Sequence, residues 1–288
     1  MKNIETIEEV LNQVTLGDCV EVMSKLPENS IHLICTSPPY SVGINYDTYD
    51  DDTTIDEYLD FSEKWLSSAY RVLRDDGRIC VNLPYEINLK DRGGRIFIVS
   101  EVWNVMKKIG YNWFGIIDLE ENSPHRSKTT AWGSWMSSSQ PYLYNPKECL
   151  IIAYKNSPKK LEKGIPQWQG ELTILEDGKR KVVYSEQDKK EFMELVFGQW
   201  KYLNDSRPLT KATFSMDIPT KAIKILTYKN DIVLDPFAGS GTSLVAAEIL
   251  DRRWIGIELS KNYCEIARSR IQPFIDDKEG RLKVEEGV

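Results

Sequence analysis

The sequence predicts an α/β domain around one mostly parallel sheet, and three observations carry the prediction. Short apolar runs bounded by turn residues (QVTLG, IHLIC, RICVNL, NWFGIID, ECLIIAY, DIVLD and RWIGIE) read as strands buried on both faces. Amphipathic helical patterns lie between several of them. Strand and helix therefore alternate along the chain, as crossover connections between parallel strands require.

The first clear helix is IDEYLDFSEKWLSSAYRVL. It sets Ile55, Tyr58, Leu59, Trp65, Leu66, Ala69, Tyr70 and Leu73 on one stripe, and Thr54 with Glu57 forms a capping box at its start. IFIVSEVWNVMKKIG is a second helix, closed by Gly110. GTSLVAAEIL and SKNYCEIARSRI supply two more near the C-terminus. The alternation breaks between residues 156 and 211, where a hairpin around Glu176-Asp177-Gly178 and a short helix from Phe192 to Phe197 read as a small inserted domain. The chain thus divides into residues 1–155, an insertion at 156–207, and residues 208–288.

Composition narrows the function classes. The 288 residues carry a formal charge of -7, which argues against indiscriminate coating of nucleic acid. The charge is uneven: residues 151–211 hold 12 Lys and Arg against 9 Asp and Glu, and residues 1–150 hold 14 against 23. A short basic module in an acidic chain suits a local polyanion contact, and equally a solvated lysine-rich surface. No apolar run is long enough to span a membrane, and acidic residues stand where a secretory signal needs an apolar core, so the expected compartment is the cytoplasm. Cys19, Cys35, Cys80, Cys149 and Cys264 are scattered singly, without metal-site or disulfide spacing, and read as small buried hydrophobes.

Near the C-terminus, DIVLDPFAGSGTSLVAAEIL runs strand, glycine loop, helix. Gly239 and Gly241 allow a tight turn and close approach of a ligand to the backbone. Asp235 ends the strand, Phe237 offers an apolar wall, and Glu258 ends the next strand at the spacing that ribose recognition needs. No Gly-Lys-Ser/Thr follows, and FAGSGT does not match GxGxxG, so the ligand is expected to be an adenosine compound without phosphates. A second unusual stretch follows IHLIC. In Thr36-Ser37-Pro38-Pro39-Tyr40 two prolines make a stiff, extended exit from a strand, with carbonyls held in place and largely unpaired.

DPFAGSGT joined to TSPPY in one chain resembles the amino-methyltransferases of DNA bases, in the permuted β group that carries the catalytic motif early and the cofactor motif late. The resemblance covers most of the chain outside residues 156–205. It implies a circularly permuted, Rossmann-like methyltransferase sheet with an inserted target-recognition region. Residues 1–155 would be the catalytic half and residues 208–288 the S-adenosylmethionine-binding half. Asp235, Phe237, Gly239 and Gly241 would line the cofactor pocket and Glu258 would hold the ribose. Asp18 matches the position that meets the adenine amine, and it is also a natural helix cap. Phe214 matches an aromatic near the cofactor. Many relatives have His-Pro where this chain has Thr210-Lys211, a departure that leaves the role of this segment open.

The same resemblance implies transfer of a methyl group to an exocyclic amine of a base flipped out of double-stranded DNA. Ser37 Oγ and the Pro38 carbonyl suit the two amine hydrogens, Pro39 stiffens the pair, and Tyr40 offers a stacking face. No metal and no covalent intermediate are required, and no cysteine follows a proline as ring-carbon methylation would need. Serine at position 37 points to cytosine N4, with adenine N6 as the alternative.

Around the flipped base, His125, Arg126 and Lys128 suit phosphates, and Trp132 and Trp135 suit a base-pocket wall or plain core packing. The loop after Tyr40, SVGINYDTYDDDT, reads as a flap or a linker. In the insertion, Gln167, Gln169, Lys179, Arg180 and Lys181 suit base edges and phosphates. The expected partner beyond DNA is a separate cognate restriction endonuclease, with the enzyme a monomer or homodimer. A protein of another class, one that binds cofactor and DNA without catalysis, is disfavoured by the intact motifs.

Overall fold

The computed structural model describes residues 6–40, 54–89, 94–121, 133–141, 143, 145, 147–174, 179–203 and 215–285. In chain order the elements are β1 (Gln13–Leu16), α1 (Cys19–Lys25), β2 (Ile31–Thr36), α2 (Ile55–Val72), β3 (Leu73–Pro84), β4 (Ile87–Leu89), β5 (Gly94–Ile96), α3 (Ile98–Ile109), β6 (Asn112–Glu121) and β7 (Glu148–Tyr154). They continue with β8 (Glu171–Ile174), β9 (Arg180–Val183), α4 (Glu186–Val196), β10 (Gln199–Tyr202), α5 (Asp217–Leu226), β11 (Ile232–Asp235), α6 (Thr242–Ile249), β12 (Arg253–Glu258) and α7 (Lys261–Glu285).

Eight strands form one sheet in the order β1-β12-β11-β2-β3-β7-β6-β10. Only β7 runs against its neighbours, pairing antiparallel with both β3 and β6. The early strand β2 lies beside the late strand β11, so an early and a late segment of the chain meet near the centre of the sheet. From that junction the connections run outward in opposite directions, to β3 on one side and β12 on the other. A topological switch point of this kind opens a crevice at the carboxyl ends of the strands.

Each face carries its own apolar layer. Tyr58, Trp65, Leu66, Ala69 and Val72 of α2 join Val102 and Met106 of α3 on one face. On the other face, Ile218, Ala222 and Ile223 of α5 pack with Leu244 to Ala247 of α6 and with Ala267 and Ile271 of α7. The Thr54–Glu57 capping box forms as the sequence predicts, and Gly110 closes α3 at φ +119. The helix starts at Ile98 rather than Ile96, because Ile96 pairs with Ile87 in the β4–β5 ribbon.

The inserted stretch departs from the sequence expectation in two respects. Its helix is longer, spanning Glu186–Val196 from a Ser185 cap. Its last strand, β10, pairs in parallel with β6 and becomes the edge of the main sheet, burying Trp200 and Tyr202. The stem that leads into it is fastened along the amino edge of the sheet. There Arg78 donates to the Pro158 carbonyl at 2.8 Å, Leu161 N donates to Asp76 at 2.7 Å, and Arg252 donates to Gln167 at 2.7 Å.

Candidate active site at the carboxyl edge of the sheet

The two motifs meet where β2 and β11 end. Thr36 Oγ1 donates to Asp235 Oδ1 at 2.7 Å, and both side chains are buried. The same carboxylate oxygen accepts the Phe237 N–H at 3.1 Å. Burial pushes the Asp235 carboxyl up to about 6, although these donors pull the other way. The loop then turns tightly, with Gly241 N donating to the Ala238 carbonyl at 2.7 Å and with Gly239 and Gly241 at φ +51 and +78. That left-handed backbone favours glycine at both positions.

The two glycines face different surroundings. A Cβ on Gly239 would meet nothing nearer than the Phe237 carbonyl oxygen at 4.0 Å, so open space lies beside it. A Cβ on Gly241 would stand 3.1 Å from Ala267 Cβ and 3.3 Å from Ile271 Cδ1, so that glycine lets α7 close on the loop. Glu258 braces the turn from β12, one oxygen accepting Gly239 N and the other Ser260 N, each at 2.8 Å. Each oxygen keeps lone-pair capacity for a further donor, which fits a pair of ribose hydroxyls. Asp18 lies next to it, because Gly17 N donates to the Glu258 carbonyl at 2.9 Å. It caps α1 through Oδ1, which accepts from Val20 N and Glu21 N. The Phe237 ring stands edge-on to Trp65 and Phe61, with centroids 5.3 and 5.9 Å away. An open, apolar-walled turn with a carboxylate at its rim suits an uncharged adenosine moiety.

On the β2 side, Pro38 is buried while Ser37, Pro39 and Tyr40 are half-buried. Ser37 Oγ and the Tyr40 hydroxyl share a hydrogen bond, so the turn Ser37–Tyr40 is closed by its own side chains. Tyr40 also packs against the α2-side core, which fixes its ring.

The profile of the DNA methylase family matches residues 31–269, from the start of β2 into α7. The chain belongs to the DNA methylase family. The Type II methyltransferase M.MjaVI of Methanocaldococcus jannaschii is 35% identical over 197 residues, covering 68% of this chain and 89% of its own length. M2.MboI of Moraxella bovis is 25% identical over 267 residues, covering 88% and 85%. Among solved structures, the cytosine-N4-specific PvuII DNA methyltransferase superposes with a TM-score of 0.65 at 18% identity, over 91% of this chain and 89% of that one. The M1.HpyAVI–SAM complex gives 0.55 at 22% identity, over 90% and 98%. These likenesses are of fold. With the family they make S-adenosyl-L-methionine the cofactor of this methylase.

Some of the residues expected to touch DNA are among the described residues and some are outside them. His125, Arg126, Lys128, Trp132 and the loop after Tyr40 are outside them, as is Phe214, the aromatic expected near the cofactor. Trp135 is exposed, in a turn closed by a bridge between Gly133 and Pro141. Lys179, Arg180 and Lys181 are exposed, the last two on β9. Gln167 is committed to Arg252, whereas Gln169 is exposed. The five cysteines are free and buried, and burial pushes the thiols of Cys19 and Cys149 up to about 12, which suits packing rather than nucleophilic work. Sequence reasoning missed the part of Thr36. Its signal was in plain view, as the residue that begins TSPPY.

Proposed function

We propose that this methylase transfers a methyl group to the exocyclic N4 amine of a flipped-out cytosine at a specific site in double-stranded DNA, as the modification half of a restriction-modification system. The observation that carries the reading is the Thr36–Asp235 bond, which ties the strand ending in Ser37-Pro38 to the strand opening the glycine loop. An acceptor pair for an amine and an open turn for an adenosine group thereby share one sheet edge.

S-adenosyl-L-methionine supplies an electrophilic methyl group on a sulfonium centre. Within the chain, Glu258 and Asp18 would hold the adenosine end, Phe237 would wall it, and Asp235, Gly239 and Gly241 would shape the loop around it; Phe214, expected near the cofactor, lies outside the described residues. Ser37 Oγ and the Pro38 carbonyl accept the two amine hydrogens, which draws the nitrogen toward a pyramidal geometry with its lone pair aimed outward. In the hydrogen bond shared with Tyr40, the Ser37 hydroxyl keeps at least one lone pair for that task whichever oxygen donates. The Tyr40 ring offers the base a flat face. The part of residues 156–207 before β10, with Lys179, Arg180 and Lys181, would serve as the target-recognition region, aided by Trp135; Arg126, Lys128 and Trp132, expected to share that task, lie outside the described residues.

Serine at position 37 favours cytosine, in keeping with the cytosine-N4-specific PvuII enzyme among the fold neighbours. Mass spectrometry of nucleosides tests this, using unmethylated plasmid DNA treated with the purified protein and S-adenosyl-L-methionine. Appearance of 4-methylcytosine supports the proposal, and 6-methyladenine overturns the choice of base.

A further inference from the structure

Asn82 is fully buried, and its Oδ1 has no hydrogen-bond partner. Its Nδ2 donates to Glu148 Oε2 at 2.8 Å. A buried acceptor left unpaired is a cost that native structures seldom carry without a reason. Turning the amide over would set its oxygen against a carboxylate, so the hydrogen bond to Glu148 fixes the orientation. The side chain therefore serves what its NH2 group holds.

What it holds lies at the carboxyl edge where β2 leads into Ser37. Cys35 of β2 is in register with Cys80 of β3, and Thr36 with Val81. β2 and its register end at Thr36, so Ser37 follows directly on the strand beside β3, one residue past the last pair, while Asn82 shares the face that carries Cys80. Glu148 opens the antiparallel strand β7 at this same carboxyl edge, opposite Pro84, and alternation puts it on one face with Leu150 and Ile152, which line the same apolar layer. Adjacent strands lie about 5 Å apart. A carboxylate drawn onto β3 by Asn82 thus stands at the carboxyl edge of the strand next to the one that leads into Ser37.

We infer that Glu148 accepts the proton released by the methylated amine and that Asn82 is the positioning residue that aims it. The inference rests on the amine-methylation reading above and adds a group to it. As the nitrogen lone pair forms the new N–C bond, the S–C bonding pair leaves with sulfur and the nitrogen becomes positively charged. One N–H proton then passes to the Glu148 carboxylate, giving a neutral methylamino base and a carboxyl group that returns its proton to water. Ser37 and Pro38 are neutral acceptors that orient the amine, whereas Glu148 is the anionic acceptor that can keep the proton.

Single-turnover methylation by wild type, Glu148→Gln and Asn82→Ala tests this. Cofactor affinity by calorimetry and base extrusion by 2-aminopurine fluorescence in the target duplex are measured alongside. Glu148→Gln should slow methyl transfer at least 30-fold, with cofactor affinity and base extrusion within threefold of wild type. Asn82→Ala should slow it less, and added formate should restore part of the rate to Glu148→Ala. A Glu148→Gln rate within threefold of an active wild type overturns the inference. So does a slowing matched by equal losses in cofactor binding or base extrusion, which is a structural role. An inactive wild type overturns the function proposed above instead. If Asn82→Ala does not fold, Asn82→Ser takes its place.

Discussion

Thr36 and Asp235 stand 199 positions apart in the chain and share a buried hydrogen bond of 2.7 Å at the centre of the sheet. The bond joins the early motif to the late one, and its donor is a hydroxyl on a β-branched side chain that packs as a strand residue.

Thr36→Val keeps the shape and removes the donor. It leaves a buried carboxylate short of one partner, which costs about 1–3 kcal/mol. Urea unfolding at pH 8 should register a loss in that range, and cofactor affinity should fall with it. A stability change below a few tenths of a kcal/mol would mean that the bond does not hold the two strands together.

Asp235 makes stability pH-dependent in an unusual direction. Burial raises its carboxyl to about 6 in the fold, against about 4 in an unfolded chain. Between those values the folded state binds more protons, so this group's contribution falls as pH rises from about 4 to 6. Asp235→Asn does not titrate and lacks that fall. The stability gap between variant and wild type, without cofactor, should shift toward the variant by on the order of 2 kcal/mol from pH 4.5 to 7.5. Urea midpoints at the two pH values check this, and a gap that does not change with pH excludes it.

Much of this architecture was legible in the sequence because buried parallel strands write themselves as unbroken apolar runs. IHLIC, DIVLD and RWIGIE each became an interior strand of the sheet. Gln199–Tyr202 was not legible. Its alternation of exposed Gln199 and Lys201 with buried Trp200 and Tyr202 spans only four residues and follows a stretch that reads as a separate module. The glycine loop and TSPPY announced themselves through residue types with few structural uses. The Asn82–Glu148 pair could not, since strand pairing alone brings those residues together across 66 positions. Asp18 carried two meanings from the outset, and the structure shows the cap on α1.

The two loop glycines should fail differently. Gly239→Ala meets open space, so its cost is the left-handed backbone alone, about 1–2 kcal/mol. Its methyl group would fill the space proposed for the ligand, and S-adenosyl-L-methionine should bind at least tenfold more weakly. Gly241→Ala adds to the same backbone strain a methyl group 3.1 Å from Ala267 and 3.3 Å from Ile271, closer than ordinary contact, so it should lower the melting temperature further. Titration calorimetry and thermal unfolding separate the two, and normal binding by Gly239→Ala would remove Gly239 from the pocket.

Ser37 and Tyr40 offer the most direct test of amine orientation, because their hydrogen bond links an acceptor to the ring proposed to stack on the base. Ser37→Ala deletes an acceptor that acts only on the reacting amine, so kcat should fall about a hundredfold while cofactor affinity stays within twofold. Tyr40→Phe keeps the ring and removes only the partner that holds the Ser37 hydroxyl, which should slow kcat by a smaller factor, about three to ten. Tyr40→Ala also removes the stacking face, and should weaken binding of a duplex carrying an abasic site opposite the target less than binding of the normal duplex. The order of effects carries the argument: if Tyr40→Phe is slower than Ser37→Ala, the tyrosine hydroxyl itself meets the amine, and Ser37 is the residue that supports it.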